Sequence, residues 1–216
     1  MSRIIVFSGI DSAGKSTQIE RLKKYLLSKN IKVKVIWSRG GYTPLFNLFK
    51  VNLRKVLPRS IPKPGESVNR DKTFNNKWVR TLWLNVALFD MILLYGFYYR
   101  LLKNFGYTVI ADRYLWDTFI DYKLKFKNEN FQLKFLWKLL EYATPVPDTS
   151  YLLTIPINES IQRSKLKNEP FSENRRQREK RYKLYLNLKE KDKWGHIIDG
   201  LKPIDRVWHE IKTKLK

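Results

Sequence analysis

The feature that most constrains this 216-residue chain is a glycine-rich loop near its amino terminus, which runs from Gly9 to Ser16 as GIDSAGKS. It matches G-x-x-x-x-G-K-[ST] at every fixed position, and it follows an apolar run, Arg3 to Ser8, and precedes a helical apolar spacing. The glycines let the backbone curl so that successive N–H groups point at a phosphate, and the following helix adds its positive dipole end. The loop therefore predicts a nucleoside triphosphate site, in which Lys15 reaches the β- and γ-phosphates and the Ser16 hydroxyl binds Mg²⁺.

Beyond the loop, short apolar runs alternate with stretches of helical spacing. Further strands are expected at Ile31 to Trp37, Tyr107 to Ala111, Tyr151 to Ile155 and His196 to Asp199, with helices that include Phe131 to Tyr142 and a last one from about Pro203. This alternation is typical of a parallel sheet with helices on both faces. We therefore expect one α/β domain over residues 1–216, a P-loop NTPase-type fold with a five-stranded parallel sheet.

The composition excludes several classes of site and leaves the binding partners open. The chain has no cysteine, so disulfides, thiolate nucleophiles and Cys-ligated metals are excluded, and no secretory signal is recognised at Met1 to Gly9; we expect a cytoplasmic protein. With 43 Lys+Arg against 20 Asp+Glu, the formal net charge is +23. Nucleic acid, an anionic membrane surface and a nucleotide would each be attracted by this charge, which cannot choose among them.

One segment raises the question of a membrane span. Leu82 to Leu102 is almost wholly apolar and about long enough to cross a bilayer, but Asn85, Asp90 and Arg100 interrupt it. Charged groups are costly inside a membrane, and the flanking sequence is typical of α/β structure. We interpret the segment as a buried core helix and expect no transmembrane segment.

A carboxylate for the metal is expected at the end of the third strand. Tyr107 to Ala111 is followed by Asp112, which would orient the Mg²⁺ shell or the attacking oxygen, and by Arg113 at the ligand-binding end of the strand. The alternative is a surface ion pair between Asp112 and Arg113 at the start of the next helix.

These motifs resemble those of the thymidylate kinase family of nucleoside monophosphate kinases. GIDSAGKST, with Asp11 two places after the first glycine, and the triplet Asp112-Arg113-Tyr114 carry the resemblance. It extends over most of the chain, since Tyr151-Leu152-Leu153, leading into Ile161-Gln162-Arg163, is similar to the family's fourth strand and the start of its basic lid. The resemblance implies a kinase of nucleotide biosynthesis that uses ATP and Mg²⁺, acts on a small anionic acceptor, has a lid at about residues 163–181, and leaves a homodimer open.

The resemblance also implies roles for individual residues. Lys15, Asp112 and Arg113 would be catalytic, and Ser16 and Asp112 would hold the metal. ATP would be bound by Gly9, Asp11, Ser12, Ala13, Gly14, Lys15, Ser16, Thr17 and, against the adenine, Arg163. The acceptor would be bound by Asp11, Arg39, Arg113 and Phe89. The lid bases that close over the transferring phosphoryl would be Lys165, Lys167, Arg175, Arg176 and Arg178.

The sequence departs from the family pattern where the base of the acceptor is recognised. The family carries a thymine-stacking aromatic residue and a nearby arginine on the helix before the Asp-Arg-Tyr strand, whereas Ala87 to Tyr98 offers Phe89 and Asp90 and no arginine. The family's arginine within the phosphate loop is replaced by Ser12, so a catalytic arginine would come from the lid. The expected acceptor is therefore a nucleoside monophosphate or a related phosphorylated compound.

A second departure is a basic, insertion-like stretch at about residues 50–80. It would be either a solvated loop or a platform for an extended anion, and Trp78 and Trp83 would be either core residues or stacking platforms. Asp117 and Asp121, one helical turn apart, would receive an acceptor hydroxyl or a second metal, although an acidic first turn of a helix explains Asp117 equally well.

Two further functions remain open from the sequence. The same fold would suit a kinase whose acceptor is a hydroxyl group on a nucleoside, a sugar or a polynucleotide end. Alternatively, the phosphate loop would serve a nucleic-acid-binding NTPase whose basic regions bind the polymer.

Overall fold

In the computed structural model, which describes residues 2–39, 43, 77–126, 130–167 and 173–215, the strands form one parallel sheet. The strands are β1 (Ile4–Ser8), β2 (Val33–Trp37), β3 (Thr108–Asp112), β4 (Thr149–Thr154) and β5 (His196–Asp199). Their order across the sheet is β2-β3-β1-β4-β5, and every neighbouring pair is parallel. The five-stranded parallel sheet predicted from the sequence is thus confirmed, with strand ends shifted by one or two residues.

Helices connect the strands. They are α1 (Lys15–Ser28), α2 (Lys77–Met91), α3 (Tyr99–Asn104), α4 (Leu115–Lys125), α5 (Phe135–Ala143), α6 (Ile157–Leu166), α7 (Arg175–Lys189) and α8 (Ile204–Thr213). A π-helical segment, Ile92–Tyr98, joins α2 to α3 without a break. The helix predicted from Phe131 begins later, because Lys134 is extended and separates a short 3-10 turn, Phe131–Leu133, from α5.

The core lies on both faces of the sheet. Successive residues of β1 point to opposite sides, so Ile4 and Val6 pack into one apolar cluster and Ile5 and Phe7 into the other. The first cluster is built with α2, the π-helical segment and α5, and the second with α1, α7 and α8. Because both faces are covered, the functional groups are left to the ends of the strands.

The long apolar segment is part of a helical stretch, Lys77–Asn104, that packs on the sheet along one side. Leu84, Leu88 and Met91 are completely buried in the first cluster. By length and composition the stretch is able to cross a membrane, with a mean hydropathy of 1.4 over its most apolar window, of which 33% is buried. Core helices pass the same test, so this is weak evidence for a span.

Most of the basic stretch at residues 50–80 lies outside the described residues, as do residues 168–172 of the predicted lid. Residues 77–80 of that stretch form the first turn of α2. The other predicted site residues follow the carboxyl ends of the strands: the phosphate loop follows β1, Arg39 follows β2, and Asp112 ends β3. A parallel sheet gathers such residues along one edge, where ligands bind in this class of fold.

Candidate active site

The phosphate loop has a backbone that only a glycine accommodates at its first position. Gly9 has φ +138°, and a Cβ atom there would lie 2.4 Å from the carbonyl oxygen of Leu153 on β4. Gly14, at φ +92°, turns the chain into α1, whose first residue is Lys15. The sequence therefore fixes both the curvature of the loop and the direction of the helix that begins behind it.

The ammonium group of Lys15 is buried at the centre of this loop. It donates hydrogen bonds to the carbonyl oxygens of Gly9 (2.9 Å) and Ile10 (2.8 Å). Burial, together with the nearby Arg113 cation, lowers the pKa of Lys15 to about 8, although Asp112, Asp11 and Asp117 act in the opposite direction. A phosphate group at this position would favour the charged form.

A cavity of about 150 Å³ opens in front of the loop. Its lining consists of Asp11, Ser12, Gly14, Lys15, Ser16, Trp37, Asp112, Arg113 and Lys167. The three residues predicted to be catalytic, Lys15, Asp112 and Arg113, thus line one cavity together with Ser16, which the sequence assigned to the metal.

Asp112 and Ser16 have the donor chemistry that Mg²⁺ requires. The Oδ1 atom of Asp112 is buried and has no hydrogen-bond partner among the described residues, and burial raises the pKa of this carboxyl despite Lys15 and Arg113 nearby. No group of three or more His, Cys, Asp or Glu side chains suited to a metal occurs in the described ranges. A phosphate-loop Mg²⁺ takes few protein ligands and completes its shell with substrate oxygens and water, so an orphaned carboxylate oxygen and a hydroxyl fit this ion.

A second cavity, of about 310 Å³, lies beside the loop between α1, α6 and α8. Its lining consists of Ser12, Ala13, Gly14, Thr17, Gln18, Leu153, Arg163, Leu166, Lys167, Gly200, Lys202, Ile204 and Val207. Arg163 is held there by Glu159 (2.6 Å) and by the carbonyl oxygen of Gly200 (3.1 Å). The cavity therefore combines apolar walls with a guanidinium plane, an arrangement that suits a purine base.

On the other side of the first cavity, Arg113 is held by carboxylates. It is 4% exposed and pairs with Asp11 at 2.5 Å and more distantly with Asp117 at 4.0 Å. Asp117 is itself fixed by hydrogen bonds from Ser8 and Tyr185. Burial alone would raise the pKa of Asp11, but Arg113, Lys15, Arg181 and Arg39 outweigh it and lower the pKa to about 2.

Arg39 belongs to a neighbouring cluster of two arginines and two carboxylates. Its guanidinium lies 3.5 Å from Asp121 and 3.4 Å from Glu173. Arg181 contacts the same two acids, Asp121 at 2.7 Å and Glu173 at 2.7 Å. Burial opposes ionisation of Asp121, but Arg181, Arg39 and Arg113 lower its pKa, so the cluster keeps its charges and fixes both arginines.

The sequence singled out Asp117 and Asp121 but gave no role to Glu173, Arg181 or Tyr185. Arg181 and Tyr185 lie four residues apart on α7, on its buried side. The signal was the spacing of the buried residues Arg178, Arg181, Tyr185 and Leu188, which is that of one helical face. It was hidden because arginine is not counted as an apolar residue.

The remaining predicted residues are placed less uniformly. Lys167 lines both cavities, whereas Lys165, Arg175 and Arg176 are exposed. Arg178 differs from the other lid bases because it is only 1% exposed.

Phe89, predicted to touch the acceptor, is 55% exposed on α2 and is not brought to the phosphate loop. Its neighbour Asp90 is buried and accepts a hydrogen bond from Thr43. Trp83 packs on the first apolar cluster, and Trp78 is 85% exposed.

A tyrosine of the π-helical segment reaches the same edge of the sheet. The hydroxyl of Tyr95 lies 2.8 Å from that of Ser38, next to Arg39, and 3.0 Å from that of Thr118 on α4. Ser38 in turn donates to the carbonyl oxygen of Arg113 at 2.9 Å. The segment thus supports the backbone that carries Arg39 and Arg113.

Comparison with known proteins agrees with this arrangement. A family model described as thymidylate kinase matches residues 72–211. The chain is similar to the thymidylate kinase of Thermosipho melanesiensis, with 30% identity over 212 residues that cover 96% of this chain and 94% of that protein. It is also similar to the thymidylate kinases of Thermosipho africanus (31% identity, covering 97% and 95%) and Plasmodium falciparum (23%, covering 99% and 91%). The chain therefore belongs to the thymidylate kinase family, which makes it a kinase.

Proposed function

We propose that the protein transfers the γ-phosphoryl group of ATP to the phosphate of a nucleoside monophosphate, with Mg²⁺ as cofactor. The observation that carries the proposal is that Lys15, Asp112 and Arg113 line one cavity between the phosphate loop and the arginines of the acceptor side. Phosphoryl transfer asks a protein mainly for positioning and for cations around the transferred group, and this cavity supplies both.

On the donor side, the backbone of the phosphate loop and Lys15 would hold the phosphates of ATP. The adjoining cavity, with Leu153 and Val207 in its wall and Arg163 at its edge, would hold the adenine. Ser16 and Asp112 would hold Mg²⁺, which when bound neutralises charge on the phosphate oxygens. Lys15 would then stabilise the charge that develops at the oxygen between the β- and γ-phosphates.

On the acceptor side, Arg39 and Arg113 would bind the phosphate of the monophosphate and aim its oxygen at the γ-phosphorus. Asp121 and Asp117 keep these guanidinium groups in place, because each arginine lies against at least one buried carboxylate. Asp11, already paired with Arg113, would lie near a sugar hydroxyl or the metal. Two arginines at this end favour a phosphorylated acceptor over a bare hydroxyl.

The test is an acceptor panel with labelled ATP and Mg²⁺. It contains thymidylate, after which the relatives are named, the other nucleoside monophosphates, and hydroxyl acceptors such as nucleosides and sugars. We expect transfer to at least one monophosphate, and Lys15→Ala should abolish it while the thermal unfolding temperature is retained. Lys24→Ala, an exposed lysine on the same helix, is the matched control. Transfer to hydroxyl acceptors alone, or full turnover by Lys15→Ala, would contradict the proposal.

Three further properties are proposals that accompany this function. We place residues 1–216 in a single cytoplasmic domain with a role in nucleotide biosynthesis. A homodimer is supported by Trp78, Leu82 and Phe89, which share one exposed face of α2, and light scattering of the parent and of Phe89→Glu tests it. The net charge of +23 supports weak binding of nucleic acid or anionic membranes, and such binding should fall steeply with salt.

A further inference from the structure

A buried cation lies behind the phosphate loop. Arg178 on α7 is 1% exposed, yet no carboxylate lies within ion-pair distance of it in the described part of the chain. Its guanidinium donates to the hydroxyls of Ser160 (2.5 Å) and Ser164 (3.0 Å) and, at 3.4 Å, to the carbonyl oxygen of Glu173. Its Nε atom is buried without a hydrogen-bond partner among the residues that the structure describes.

The two serines connect this cation to the loop. Ser160 donates to the carbonyl oxygen of Asp11 (2.7 Å), and the hydroxyl of Ser164 lies 3.0 Å from that of Ser12. Both serines are buried and lie four residues apart, on one face of α6. Arg178 therefore reaches two successive residues of the phosphate loop through one hydroxyl each.

This part of the loop needs external support. Ser12 has φ +60°, in the left-handed region that side chains other than glycine rarely occupy, so the contacts around it must hold the conformation. Arg178 does not line the cavity in front of the loop, where Ser12, Gly14 and Lys15 do. Its action on a ligand in that cavity must therefore pass through the loop.

A buried arginine without a counterion is costly for a fold, and an apolar side chain would serve packing better. The cost is offset when an anion binds on the other side of the Asp11–Ser12 backbone, because charges interact strongly where water is excluded. We infer that Arg178, with Ser160 and Ser164, is a positioning group that holds the phosphate loop for a polyphosphate, a role that rests on the proposed ATP site.

The test compares ligands with and without phosphates. Dissociation constants for ATP and adenosine are measured, adenosine by competition, for the parent, Arg178→Gln, Arg178→Lys, Ser164→Ala and the control Lys180→Gln, an exposed cation two residues away on α7. For Arg178→Gln we expect ATP affinity to fall about tenfold or more and adenosine affinity to stay within about twofold. Arg178→Lys should recover part of the loss, Ser164→Ala should weaken ATP about threefold, and Lys180→Gln should match the parent.

If Arg178→Gln does not fold, Ser164→Ala and Arg178→Lys carry the test, because both are smaller changes. Unchanged ATP affinity in those two variants overturns the inference, and so does an equal loss for ATP and adenosine in Arg178→Gln, which would indicate a structural role only. If the parent transfers phosphate and the variants bind ATP as well as the parent does, this inference alone is refuted. A parent that neither binds ATP nor transfers phosphate refutes the proposed function with it.

Discussion

The lowered pKa of Lys15 predicts that ATP binding takes up a proton near neutral pH. Burial and Arg113 bring the pKa to about 8 in the free protein, and the phosphates of ATP would raise it again by favouring the ammonium form. A group with a pKa of 8 is about 10% deprotonated at pH 7, about 50% at pH 8 and about 90% at pH 9. Binding should therefore take up about 0.1, 0.5 and 0.9 protons at these three values of pH.

The same titration sets the pH dependence of affinity. Above pH 8, Lys15 is mostly neutral in the free protein and must be protonated when ATP binds. The dissociation constant for ATP should therefore rise about tenfold between pH 7 and pH 9, a loss of about 1.4 kcal/mol of binding free energy. Stability of the free protein should change in the opposite sense. The pKa of Lys15 is lowered from 10.5 to about 8 on folding, so the unfolded chain binds more protons between these values, and this group favours folding more as pH rises.

Calorimetric titration with ATP in two buffers of different ionisation enthalpy measures the proton uptake directly. Lys15→Arg is the matched control, since its guanidinium stays charged over this range and ATP contributes its own ionisation equally to both proteins. We expect the difference in uptake between the two proteins to follow the values above. A parent protein that takes up no more protons than Lys15→Arg at pH 8 and pH 9 would refute the reasoning.

Three other predictions concern single side chains. Asp112→Asn should lower kcat about 100-fold and raise the Mg²⁺ concentration needed for half-maximal rate. Thermal stability should not fall, because the substitution removes the charge of a carboxyl whose buried Oδ1 atom has no hydrogen-bond partner among the described residues. An unchanged Mg²⁺ requirement would contradict the metal role. Arg39→Ala should raise the acceptor KM about tenfold or more and leave the KM for ATP within about twofold, and steady-state kinetics with both substrates varied would expose an equal effect on the two. The pKa of Asp11, lowered to about 2, contributes stability that is present above about pH 4 and lost as pH falls toward 2. In urea unfolding measured from pH 4 down to pH 2, the free energy of unfolding of Asp11→Asn should therefore fall less steeply than that of the parent. An equally steep fall in both proteins would contradict the prediction.

The sequence predicted the fold class for a physical reason. The strands are short, mainly apolar runs that end in a loop or a charged residue, and their alternation with helices predicts a parallel sheet, whereas the order of the strands is known only from the structure. The pattern at Gly9 to Ser16 specifies the local backbone geometry, so it can be recognised in the sequence without knowledge of tertiary contacts.

The proposed acceptor side was harder to predict because its groups come from distant parts of the chain. Arg39 contacts Asp121 and Glu173, which are far from it in the sequence, and no spacing pattern predicts these contacts. The basic run of α7 has the composition of a solvated helix, yet Arg178 and Arg181 are buried by partners from α4 and α6. Phe89 was chosen for its aromatic character, and only the rotation of α2 shows that it points to the surface.

Because of the π-helical segment, function should depend on the number of residues in the helix before β3. A π turn accommodates an extra residue in a helix, and Tyr95 lies within it, joined to Ser38 and Thr118. Deleting one residue from Ile92–Tyr98 would let the segment relax to an α-helix, in which α2 and α3 keep their relative orientation and the residues inside the segment change theirs. Tyr95 would then lose its place beside Ser38 and Thr118, although no residue of the phosphate loop had changed. Substitutions at the outward side chains of this segment should therefore be tolerated better than a change in its number of residues. A single-codon deletion here should reduce activity more than most substitutions.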